Sequence, residues 1–276
     1  MSVALVIPIH PKHYNFIYNL IDLITINIDI FLIFSNDDHY NQFEKKNKIK
    51  KIIAPNILNE QIIVTYKKFF ALEQLKNENY DYFIVCDAEI TIISKNFNIT
   101  NILNKINNIF NNKIIYAGET ISNTPTNNAA ACAITECSCT LLKDSDKLKE
   151  ITNNYTLYYW WSDLPVYKKE HLDHFFSLFN YKNNNNFSWY HFDNTIYLSY
   201  LLLHHNFTII NITPLLNYNW SLECYNTNNI NNLQLLKTNN YGSSFIYYQL
   251  YMNNIEYFNK EGTFLIFHLD RSYPVI

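Results

Sequence analysis

The chain has 276 residues, is 48% hydrophobic and carries a formal net charge of -3, with Arg271 as its only arginine. A chain this long and this apolar can build a sizeable core, which excludes a disordered polypeptide. The weak negative charge and the scarcity of arginine argue against a nucleic-acid binder and give no pull toward an anionic membrane.

The predicted elements alternate from the start. Val3 to Ile9 is a short, wholly apolar run, the pattern of a buried strand. Helical periodicity follows over about residues 13–26, and a second strand over residues 30–34 stops at the polar turn Ser35-Asn36-Asp37-Asp38. A third strand is predicted over residues 51–54. Ile62, Tyr66, Phe69 and Leu72 then mark a helix over about residues 59–76. The apolar run at residues 82–86 is a further strand, and it ends abruptly in Asp87-Ala88-Glu89. Ile99, Ile102, Leu103, Ile106 and Phe110 define another amphipathic helix, followed by a strand over residues 114–117 that Gly118 is expected to end. Strands alternating with helices over the first 120 residues predict an α/β unit with a largely parallel sheet.

The second half is more aromatic. Trp160, Trp161 and Asp163 precede a helix carrying Leu172, Phe175, Phe176 and Phe179 at apolar spacing. Asn183 to Asn186 reads as a loop, residues 196–203 as an apolar helix and residues 207–212 as a strand. With no repeat and no linker, residues 1–276 read as one domain whose second half is built onto the same sheet.

Three glycines and five cysteines narrow the chemistry. Gly118, Gly242 and Gly262 belong to no glycine-rich phosphate loop, so a P-loop enzyme or a glycine-fingerprint dehydrogenase is not expected. Any phosphate must be held by a metal, by lysines or by a helix N-terminus. An odd number of cysteines points to free thiols in a reducing compartment, and Cys132, Cys137 and Cys139 lack the paired spacing of a zinc site. The N-terminal apolar run has no basic flank and is too short to span a membrane, so no transmembrane segment is expected.

Asp87 and Glu89 stand at positions i and i+2 where a strand leaves the sheet, on the same side of the chain. Two carboxylates held together repel unless a cation joins them, and Mg²⁺ or Mn²⁺ carrying phosphates suits hard oxygen ligands. Taken alone, such a triplet is more often an acidic turn. Its neighbours change that balance: Ile9-His10 and Ser35-Asn36-Asp37 also follow strands, and ligands of parallel sheets sit at those strand ends. Thr65 and Lys68, three apart on one helix face, are placed to reach a ligand there.

A strand ending in Ile7-Pro8-Ile9-His10, a strand ending in Ser35-Asn36-Asp37 and a strand capped by Asp87-Ala88-Glu89 resemble the GT-A glycosyltransferases, and among them the glycosyltransferase domains of large DNA viruses. The resemblance implies a Rossmann-like fold, a mostly parallel central sheet with helices on both faces. Residues 1–120 would form the nucleotide-sugar-binding half and residues 121–276 the acceptor-binding half. It implies a metal-dependent transferase using Mn²⁺ or Mg²⁺, a nucleotide-sugar donor, with UDP-sugar favoured, and a glycan or glycoprotein acceptor. The expected compartment is the cytoplasm, that of the host if the chain is viral. Pro8, Ile9 and His10 would line the base and ribose, and Asn36 and Asp37 would sit near the base. Asp87 would face the ribose or the metal, Glu89 would ligate the metal, and His268 would be its third protein ligand.

Several residues carry two readings. Asp193 opens an apolar helix, as an N-cap or as the catalytic base. Asp163 is its rival as base, with Trp160 or Trp161 stacking on a sugar or belonging to a core cluster. His171 and His174 are expected on the surface, and His204-His205 at a helix end. The alternatives to sugar transfer are a nucleotidyltransferase, which also uses a sheet-end carboxylate pair, and a non-catalytic carbohydrate-binding or structural protein of the same fold.

Overall fold

The computed structural model describes residues 1–24, 27–57, 62–92, 99–119, 129–142, 144–157, 166–183, 187–211, 245–247 and 265–267. The apolar N-terminal run forms β1 (Val3–Pro8), buried at every position, as a strand covered on both faces must be. A 3-10 turn leads into α1 (Tyr14–Leu23), and the chain returns as β2 (Asp29–Phe34). Next come α2 (Asp37–Gln42), β3 (Lys50–Ile53), α3 (Ile63–Leu75), β4 (Tyr82–Val85) and β5 (Ile90–Ile92). The chain continues through α4 (Ile99–Asn112), β6 (Ile114–Glu119), α5 (Ala129–Cys139), α6 (Ser145–Thr152) and β7 (Tyr155–Thr156). The last described elements are β8 (Val166–Lys168), α7 (Leu172–Leu178), α8 (Asp193–His204), β9 (Thr208–Asn211), β10 (Phe245–Tyr247) and β11 (Leu265–Phe267).

The central sheet has five strands in the order β3-β2-β1-β4-β8. The first four are parallel and β8 runs antiparallel along β4. The fold is therefore α/β, a mostly parallel sheet flanked by helices, and the 3-2-1-4 order is that of a Rossmann-like half. Val6 of β1 lies opposite both Phe31 of β2 and Val85 of β4, so β4 ends two residues before β1 and β2 one residue past it, and the segment after β4 runs beside the last residues of β1. Helix α3 crosses β1 and β2 and is covered in turn by α7 and α8. Phe69 anchors that interface, its ring 5.5 to 5.9 Å from those of Phe175, Phe176, Phe179 and Tyr181. Aromatic pairs at this spacing add to the stabilisation from their buried area.

Three expectations are corrected. β6 does not extend the central sheet: it pairs with β9 in parallel and β7 in antiparallel, because β8 already occupies the outer edge of β4. Gly118 does not end β6 but lies inside it, opposite Thr156. The polar stretch after β2 is not only a turn, since Asn36 accepts a hydrogen bond from the His39 amide at 2.8 Å and caps the short helix α2. A third sheet, in the order β10-β11-β5, joins the segment that follows Glu89 to the C-terminal region. Among the described residues, no helix is long and apolar enough to cross a membrane.

Candidate functional site

Order reversal in a parallel sheet leaves a crevice at the carboxyl ends of the strands on either side of it, here β1 and β4. The backbone ladder runs one residue beyond each of these strands. Ile9 N–H donates to Ile33 at 3.0 Å and Cys86 N–H to Val6 at 3.1 Å, which fixes where the next side chains emerge. A cavity of about 410 Å³ opens there. Pro8 lines it at the end of β1, Ile9 and His10 just beyond, Ser35 after β2, and Asp87, Ala88 and Glu89 after β4. The first turns of α3 add Ile63, Val64 and Lys67, and the 3-10 turn after β1 adds Lys12 and His13.

Both carboxylates of the acidic triplet thus face one cavity. The Asp87 side chain is 42% exposed and the Glu89 side chain 16%. Glu89 Oε1 lies 3.1 Å from His13 Nε2. Asp87 Oδ1 lies 3.0 Å from Lys68 Nζ, and the same ammonium donates to Asp193 Oδ1 at 2.9 Å. Tyr167 completes the set by donating its hydroxyl to Asp193 Oδ2 at 2.7 Å. Lys68 and Asp193 are both buried. Burial pulls the Lys68 ammonium down, but the charges of Asp193 and Asp87 outweigh it and hold the group above the ordinary lysine range. Burial and the Asp193 carboxylate together push the Tyr167 phenol well up.

Sequence-predicted residues divide by place. Pro8, Ile9, His10, Asp87 and Glu89 line the cavity. Asn36 caps α2, and Asp37 pairs with Lys51 at 3.2 Å, so it is Ser35 that faces the cavity from β2. Thr65 donates to the His191 carbonyl at 2.9 Å and ties α3 to the segment before α8. Lys68 stands behind Asp87 rather than in the cavity. Asp193 is the first residue of α8, but its side chain does not cap the helix. The carboxylate turns inward, both oxygens are engaged and the residue is 2% exposed, so it does not stand as a base toward a ligand. Asp163, Trp160, Trp161 and His268 lie outside the described residues.

Lys67, His13 and Tyr167 belong to the site or its support and were not singled out from the sequence. The available signal was in α3, where Lys67 and Lys68 interrupt Tyr66, Phe69, Phe70 and Ala71. Lysines inside an apolar helical run need a partner or a cavity. His171 also differs from expectation, being buried rather than on the surface. The four described cysteines are free thiols.

No family model and no curated protein matches the chain.

The donor set suits a hard divalent cation held in part by its ligand. Among the described residues, no three His, Cys, Asp or Glu side chains form a complete metal site. Two carboxylates at a cleft are, however, the usual protein share of a Mg²⁺ site whose remaining oxygens come from phosphates and water.

Proposed function

We propose that the chain is a metal-dependent glycosyltransferase of GT-A type, moving a sugar from a nucleoside diphosphate, a UDP-sugar by preference, to a hydroxyl of a glycan or protein. The observation that carries this reading is the pair Asp87 and Glu89 on one wall of a cavity at the order reversal between β1 and β4. Transfer breaks the bond between the sugar's anomeric carbon and the diphosphate oxygen, and forms a bond from that carbon to the acceptor oxygen. The acceptor proton leaves to a base, and the bond's electrons leave with the diphosphate. Asp87 and Glu89 would hold Mg²⁺ or Mn²⁺, which would neutralise the charge that develops on the leaving diphosphate.

The chain's own residues prepare that site. Lys68 fixes Asp87 from behind, while Asp193 and Tyr167 hold Lys68 in place. Asp193 is on this reading a positioning residue. Ile63 and Val64 give the cavity an apolar wall, and Val64 is 45% exposed there, as an apolar ligand surface would be before binding.

The test is donor turnover with a panel of nucleotide sugars, with and without EDTA, for the wild type, Asp87→Asn and Glu89→Gln. Turnover should need the metal and fall by about 100-fold or more in each variant, with the native circular dichroism spectrum retained at the assay temperature. Metal-independent turnover, or no binding of any nucleotide sugar, overturns the reading. Release of pyrophosphate from a nucleoside triphosphate, in place of nucleoside diphosphate release, moves it to nucleotidyl transfer.

A further inference from the structure

We infer that Lys67 and Ser35 form an anion subsite in the cavity, which takes a phosphate group of a nucleoside diphosphate. Resting on the proposed function for the identity of its ligand, the inference adds how that ligand is held. Lys67 is 6% exposed and lines the cavity, where its ammonium donates to Ser35 Oγ at 2.7 Å. Among the described residues, no carboxylate pairs with it. Its neighbour Lys68 is equally buried, yet lies within 3.0 Å of two carboxylates. Burial therefore lowers the proton affinity of Lys67 with nothing to offset it, whereas that of Lys68 is raised.

A buried ammonium with only a hydroxyl partner is costly, because hydration is lost without a counter-charge. One N–H is engaged by Ser35, and an ammonium has three to offer. The missing partner must be an anion small enough for the cavity. A bare carboxylate ligand would meet Asp87 and Glu89 in the same space. A phosphate carrying a divalent cation satisfies both sides, its oxygens toward Lys67 and Ser35 and its cation toward the two acids. His10 and Lys12 add basic groups to the same lining.

The subsite can be separated from the rest of the site by titration calorimetry in Mg²⁺ with three probes: uridine diphosphate, inorganic pyrophosphate and uridine. Wild type should bind the first two and hold uridine far more weakly. Lys67→Met should lose about 10- to 100-fold in affinity for both phosphate probes, the equivalent of one charge-assisted hydrogen bond. Lys67→Arg should keep part of it, and Ser35→Ala should lose less than Lys67→Met. Lys67→Met should also melt at the same temperature as wild type or higher, because it removes an uncompensated buried charge. A lysine with a structural role would lower it. Unchanged phosphate affinity in Lys67→Met, a lowered melting temperature, or no binding of either phosphate probe by wild type overturns the subsite. Phosphate binding that depends on Lys67 in a protein with no sugar transfer keeps the subsite and removes the transferase reading. Sugar transfer with phosphate affinity unchanged in Lys67→Met does the reverse.

Discussion

The cleft beyond β1 and β4 and the layer between α7 and α8 both bury titratable side chains, and they handle them in opposite ways. In the cleft, charge is kept: Lys68 sits between Asp87 and Asp193, and Lys67 faces the cavity. In the second layer, neutral rings are satisfied by tyrosines. His171 Nδ1 lies 2.8 Å from the Tyr197 hydroxyl, and His205 Nε2 lies 2.7 Å from that of Tyr200. The His171 and His205 rings stack with centroids 3.8 Å apart, an arrangement that suits neutral imidazoles. Burial pushes His171 down to about 3, with the nearby His205 and Lys168 acting the same way and Glu170 opposing them. Two such layers teach that burial alone does not mark a functional site. What marks the cleft is charge that is retained, at a cost neutral groups avoid, beside open space.

Removing Asp193 should break that contrast most strongly. Asp193→Ala leaves the Lys68 ammonium with Asp87 alone and the Tyr167 hydroxyl without its acceptor. Breaking one partner of a buried pair costs about 3–5 kcal/mol, to be read from urea unfolding. A loss below about 1 kcal/mol, the range of an exposed ion pair, would mean that Lys68 is not held from behind and that the cleft is no more demanding than the surface.

The histidine layer predicts a smaller, pH-dependent effect. The folded-state pKa of His171 lies below its unfolded value near 6.5, so the unfolded chain takes up the proton first as pH falls. Stability is therefore full above about pH 6.5 and declines toward about pH 3, by up to about 1.4 kcal/mol per pH unit from this group. His204 and His205 are shifted in the same direction by burial. Between pH 7 and 5.5, His171→Gln should flatten the fall in stability by about 1 kcal/mol. Parallel pH profiles for variant and wild type would show that His171 is not buried in its neutral form.

The sequence carried these parallel strands because β1, β4 and β2 beyond Asp29 are apolar runs, each followed by a polar residue within two positions. The acidic triplet was legible for the same reason: a strand end fixes where the following side chains go. Which lysine of α3 faces the cavity was not legible. Adjacent helical residues differ by about 100° in direction, so choosing between Lys67 and Lys68 requires the rotation of α3, which packing against Phe175, Phe176 and Phe179 sets. The pairing of β6 with β9 was equally hidden, because both β9 and the strand β8 that lies on the edge of β4 come from much later in the chain. Helix α2 was not legible because Tyr40 is the one aromatic among its six residues, which leaves no apolar period to read, and its start rests on the Asn36 cap.

Asn36 gives the smallest effect and separates a scaffold role from a binding one at the cleft's margin. Its side chain accepts a hydrogen bond from the His39 amide at 2.8 Å, and α2 is otherwise held by the Tyr40 ring against Phe34 and by the Tyr14 hydroxyl donating to the His39 carbonyl. Asn36→Ala should therefore cost about 1 kcal/mol of stability, the usual worth of an N-cap, while Asn36→Asp or Asn36→Ser should restore most of it. Phosphate-probe affinity should stay within about twofold in all three, because Ser35 rather than Asn36 lines the cavity. His39 has its ring 5.5 Å from that of His10, which does line it, so α2 still touches the cleft indirectly. If Asn36→Ala weakened uridine diphosphate binding tenfold while Asn36→Ser rescued stability alone, the amide itself would contact the nucleoside. The cleft would then extend past Ser35 to the tip of α2.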